Sequence, residues 1–80
     1  MNAYDNGAFV TVRITANDVE TFNHHWPCSC LPARSVSFVF DKSNGDLVDI
    51  EGRYRDRFQG AEAAALADDA WAHYRRDVQS

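Results

Sequence analysis

The densest run of reactive side chains is His24-His25-Trp26-Pro27-Cys28-Ser29-Cys30. Two imidazoles and two thiols suit Zn²⁺, and a thiol beside an imidazole can form a nucleophile–base pair. The spacing argues against both. The histidines are adjacent, one residue separates the cysteines, and Pro27 stiffens the join, so folding four donors tetrahedrally around one ion is difficult. His73 would contribute only if the last helix docked nearby. No glycine-rich strand-to-helix turn accompanies either thiol to stabilise an oxyanion. A metal- or thiol-dependent module on His24, His25, Cys28 and Cys30 therefore stands as an alternative. The preferred reading is structural: Trp26 and Leu31 anchor a loop and the small thiols fill space around them. A Cys28–Cys30 bridge would close a strained ring, and two thiols behind a start with no basic region fit a reducing cytoplasm.

Charged residues offer two further sets. Arg53-Tyr54-Arg55-Asp56-Arg57-Phe58 interleaves bases with aromatics. If extended, it would align Arg53, Arg55 and Arg57 to grip phosphates, with Tyr54 and Phe58 opposite, as in a small nucleic-acid binder. Asp56 within the run favours a solvated edge with both rings tucked into the core. The acidic set is Asp46, Asp49 and Glu51 on a hairpin, with Asp68 and Asp69 on the last helix. Carboxylates so placed can imitate a phosphate backbone and occupy a basic groove, although they also simply keep a surface soluble. There is no phosphate loop, no paired catalytic carboxylates and no cofactor fingerprint, so no enzyme and no cofactor are expected.

The elements that position these groups follow from periodicity. Residues 8–15 alternate, with Val10, Val12 and Ile14 on one side and Phe9, Thr11 and Arg13 on the other. Asn17 with Glu20 reads as a capping box opening a two-turn helix, which buries Val19, Phe22 and Trp26 and stops at Pro27. Residues 35–41 alternate through Val36, Phe38 and Phe40. Lys42-Ser43-Asn44-Gly45 is a turn, and residues 46–51 return with Val48 and Ile50 inward and Asp49 and Glu51 outward. After Gly60 an alanine-rich helix runs to about Val78, with Ala63, Leu66, Ala67, Ala70, Trp71, Tyr74 and Val78 on one stripe. Residues 1–6 read as a flexible lead. The order β-α-β-β-α gives one α+β domain over 1–80: a three-stranded antiparallel or mixed sheet with both helices on one face. The other face would expose Phe9, Val39 and Leu47 among polar groups, a contact surface that could also pair two copies.

The chain has 80 residues, 12 acidic and eight basic, for a formal charge of −4. Such a charge disfavours attraction to phosphates and favours a basic protein surface. No run approaches the ~20 apolar residues that cross a bilayer. High Ala, Asp and Arg usage suggests a GC-rich bacterial or phage source.

Phe22-Asn23, then Trp26-Pro27-Cys28-Ser29 and Leu31, resembles a segment of small orphan proteins of bacteriophages and prophage-like elements. Gly45-Asp46-Leu47-Val48-Asp49 and the Ala- and Asp-rich last helix are similar too. The likeness spans residues 9–75, and its distinctive part is Trp-Pro-Cys-Ser. Such proteins include anti-CRISPR inhibitors, which bind host effector complexes rather than catalyse. The resemblance implies an inhibitor in the bacterial cytoplasm whose partner is a host protein complex such as a type I CRISPR effector, without direct nucleic-acid or membrane binding. It carries over no catalytic residues. On the charge reading, Asp46, Asp49 and Glu51, backed by Asp68 and Asp69, would meet that partner.

Overall fold

The computed structural model describes residues 1–26 and 29–78. In chain order the elements are β1 (Asn2–Asp5), β2 (Phe9–Ile14), α1 (Ala16–His25), β3 (Val36–Asp41), β4 (Leu47–Glu51), a 3-10 turn (Arg55–Arg57) and α2 (Gly60–Val78). The class is α+β, as the alternation of the strands requires. Val10, Val12 and Ile14 of β2 are fully buried, and Val36, Phe38 and Phe40 of β3 lie opposite them in register. Cross-strand partners share a face, so this ladder makes one continuous apolar surface. Val19 and Phe22 of α1 and Ala63, Leu66, Ala67, Ala70 and Tyr74 of α2 complete the same core. Both helices therefore cover one face of the sheet.

The sheet has four strands rather than three, in the order β1-β2-β3-β4, all antiparallel. Residues 2–5 form the added edge strand. Asn-Ala-Tyr-Asp shows no apolar alternation, and its order comes from its partners. Ala3 sits opposite Val12, while Lys42 Nζ meets Asp5 Oδ2 at 2.7 Å and the Tyr74 hydroxyl donates to the same oxygen at 3.2 Å. The turn into β2 holds Gly7 at φ +92°, and the Gly7 amide donates to Asp5 Oδ1.

Two local expectations are corrected. Helix α1 is capped by Thr15 and Asp18, not by Asn17 and Glu20. The Thr15 hydroxyl accepts from the Asp18 amide at 3.2 Å, and the Asp18 carboxylate accepts from the Thr15 amide at 2.9 Å. Ile14 is needed in the sheet core, so the chain turns directly after it and the cap falls on Thr15. In β4, Phe40 pairs with Leu47 while Val39 pairs with Asp49, so Val48 is the extra residue of a bulge. Leu47 thus joins the Phe40 side, whereas Val48, expected inward, is 50% exposed. Ile50 stays inward opposite Phe38.

The loop after α1 also departs from expectation. Trp26 is 44% exposed and stacks on Phe22 with centroids 5.6 Å apart, and Cys30 is exposed rather than a space-filler. Leu31 is buried, as expected of a loop anchor, and Asn23 adds a second hold: its Nδ2 donates to the Leu31 carbonyl while its Oδ1 accepts from the Ser29 hydroxyl. Cys28 lies outside the described residues, as does the side chain of Val78.

Candidate functional site

The sheet face that the helices leave uncovered is organised in rows by the strand register. One row runs Tyr4–Thr11–Val39–Asp49 across all four strands, and the next runs Asn2–Arg13–Ser37–Glu51. Phe9 and Asp41 form a shorter third row. At about 4.8 Å between strands, each full row is about 14 Å wide. Tyr4 and Phe9 are 52% and 45% exposed, so the β1–β2 side presents two aromatic surfaces to solvent. Asp49 and Glu51 sit two residues apart on the β4 edge, about 6.8 Å along the strand. Asp46 is exposed in the adjoining turn, where its amide donates to Asn44 Oδ1 at 2.9 Å.

Sequence position alone did not determine which acids share a surface. Asp46, Asp49 and Glu51 follow one another along the uncovered face and its rim. Asp68 and Asp69 are exposed on α2, in the helical layer on the other side of the sheet. The five carboxylates therefore do not form one patch.

The nucleic-acid alternative required extension of 53–58, and that premise is not met. Arg55 and Arg57 lie in the 3-10 turn, with Arg55 Nε 3.9 Å from Asp56 in an exposed pair. Arg53 lines a groove beside Arg13 and Arg34, whereas Arg55 lines another beside Asp49 and Gln59. Phe58 is buried and edge-on to Phe38 at 6.2 Å; Tyr54 is half-buried, with the Arg34 guanidinium 5.2 Å from its ring centre. The aromatics thus belong to the core edge.

For the His/Cys set, His24 and His25 are exposed with ring centroids 6.3 Å apart, and Cys30 is exposed. Among the described residues no three His, Cys, Asp or Glu side chains converge for a metal ion. His25 instead shares a cavity of about 420 Å³ with Trp26, Asp69 and His73.

The electrostatic centre of the β1 side is structural. The Lys42 ammonium, helped by the Gly7 amide and the Tyr74 hydroxyl, holds the Asp5 carboxyl below its usual range. Asp5 in turn raises Lys42. The Ser43 hydroxyl and amide lower Asp41 in the β3–β4 turn. Partial burial disfavours ionised Asp18, but the Thr15 groups and the Met1 ammonium, 3.0 Å away, outweigh it and leave its pKa lowered.

Comparison with protein-family models, curated proteins and solved structures finds no significant match to this chain. Its own surfaces must carry any functional reading. Tyr4 was missed as a surface residue; the Asn6-Gly7 pair was the available signal, because that dipeptide marks a tight hairpin. The Arg34–Tyr54 pairing, which joins residues 20 positions apart in the chain, had no local signal.

Proposed function

We propose that this chain is a non-catalytic binding protein of the phage or mobile-element kind, and that it docks on a host protein complex through its uncovered sheet face. The observation that carries the reading is the face itself: exposed Tyr4 and Phe9 on its β1–β2 side, with Asp49 and Glu51 on the opposite β4 edge and Asp46 in the turn before it. Aromatic anchors on one side of a face and like-charged groups at its far edge suit a partner with an apolar depression about 14 Å from a basic strip. The resemblance of residues 22–31 supports reading that partner as a CRISPR effector in the bacterial cytoplasm, of type I in the first instance. The basic strip is then its nucleic-acid groove, and binding inhibits by occupying it. No helix among the described residues is long and apolar enough to cross a membrane.

The test is a target-DNA gel shift with purified type I effector complexes, with and without this protein. The expected result is loss of target binding, relieved at least about tenfold by Asp49→Arg with Glu51→Arg, because opposed charges become like charges. Asp68→Arg with Asp69→Arg is expected to leave inhibition unchanged. Target binding unaffected by the wild-type protein across those effectors removes the CRISPR assignment. Inhibition that survives the β4 reversal but not the α2 reversal moves the contact to the helical layer.

A further inference from the structure

Arg13 at the end of β2, Arg34 before β3 and Arg53 after β4 come from three separate parts of the chain and line a single groove of about 540 Å³. Ser35, Ser37 and Glu51 line it as well. We propose that this groove binds a phosphomonoester dianion carried on a small molecule such as a nucleoside monophosphate. The inference is independent of the partner proposed above.

Charge is the first reason. Three arginines and one glutamate give the lining a formal +2 in a chain of −4. Among the described residues no carboxylate lies within salt-bridge distance of Arg13, Arg34 or Arg53. Three guanidinium groups without a salt-bridge partner and a single carboxylate in one groove leave an excess of positive charge that a bound anion would neutralise. A carboxylate monoanion would neutralise half of the excess, whereas a phosphomonoester near pH 7 carries almost two charges.

Geometry is the second. Arg34 lies over the Tyr54 ring, which fixes its planar fork at the groove wall and lowers the ordering cost of a bidentate contact. Ser37 stands between Arg13 and Glu51 in the cross-strand row, where its hydroxyl can donate to a phosphate oxygen. The volume suits a small molecule. A nucleic-acid strand suits it less, because the chain leaving the groove along β4 would run past Glu51 towards Asp49 and meet the acidic face.

The experiment is an amide NMR titration of the full chain with adenosine monophosphate, inorganic phosphate, adenosine and a short oligothymidylate. Adenosine monophosphate and phosphate are expected to give saturable shifts centred on Arg13, Ser35, Ser37 and Gly52, with the nucleotide half-saturating below about 1 mM. Adenosine is expected to give none. Binding of adenosine monophosphate should be about fourfold weaker at pH 5.5 than at pH 7.5, following the dianion fraction for a second pKa near 6; no histidine lines the groove, so this change belongs to the ligand. Arg13→Gln with Arg53→Gln should abolish the shifts, and Arg75→Gln with Arg76→Gln on α2 should leave them intact. Glu51→Gln removes a repulsive charge without touching the fold's core and should tighten binding about threefold. Absence of saturable shifts by about 10 mM overturns the proposal, as does binding indifferent to the Arg13/Arg53 double substitution. Tighter, steeply salt-dependent binding of the oligothymidylate would replace it with a nucleic-acid surface.

Discussion

Gly45 shows how one atom can be excluded from this fold. It holds φ +78° in the β3–β4 turn, and a Cβ there would sit 2.6 Å from Cε2 of Trp71. Gly45→Ala thus combines a disfavoured backbone with a clash against a bulky ring. We expect a loss of about 1–3 kcal/mol in urea unfolding, against a near-neutral Asn44→Ala. The Asp5–Lys42–Tyr74 cluster gives a pH signature. Asp5 is depressed below the ordinary aspartate value of about 3.9, so its contribution is present above that value and is lost as pH falls through the folded one. Lys42 is raised, so its part holds below the usual lysine range and fades only as pH rises through the folded value. The stability difference between wild type and Asp5→Asn should therefore be constant across neutral pH and shrink in strong acid. A difference unchanged down to pH 2 would show that Asp5 is not ionised in that contact. The inward residues of β2 and β3 were legible because alternation reports burial directly. Asp5 was not, since its partners lie 37 and 69 positions away.

Element boundaries were decided by packing rather than by local preference. Asn17 and Glu20 satisfy a capping pattern as well as Thr15 and Asp18 do, and a sequence window has no means of ranking them. Burial of Ile14 at the end of β2 leaves one residue before the helix, and that residue is Thr15. Thr15→Ala is therefore expected to cost about 1 kcal/mol, while Asn17→Ala changes stability by less than about 0.5 kcal/mol. Denaturation midpoints of the two variants measure this directly; equal losses would return the cap to Asn17. The β4 bulge was illegible for a related reason. Period-two reading assumes an unbroken ladder, and one extra residue at Val48 exchanges the sides of Leu47 and Val48 while leaving Ile50 in place. Asp49 and Glu51 lie beyond the irregularity, in step with Ile50, and face the uncovered side as the alternation reads. Strand β1 completes that face with Tyr4, and only the Asn6-Gly7 turn announced it.

At the scale of the molecule, one side of the sheet carries the buried core and the other carries exposed aromatic and acidic groups. For 80 residues a total stability of about 4–12 kcal/mol is expected, and truncating a fully buried Phe38 to alanine costs about 3–5 kcal/mol of it. A chain this small has little apolar surface to spare, yet it leaves Tyr4 and Phe9 about half exposed on the face that no helix covers. Their value to the fold is limited to strand preference and cross-strand contact, about 1 kcal/mol at most for each position. Tyr4→Ser with Phe9→Ser should accordingly keep the native amide spectrum and shift the melting temperature by only a few degrees. If the uncovered face is the docking surface, the same variant should lose partner binding by more than tenfold, because interface energy concentrates in aromatic anchors. Phe38→Ala provides the contrast, losing binding only in proportion to the fraction unfolded. Retention of full inhibition by the Tyr4/Phe9 variant, with the fold intact, would place recognition elsewhere on the molecule and leave the exposed rings as ordinary surface.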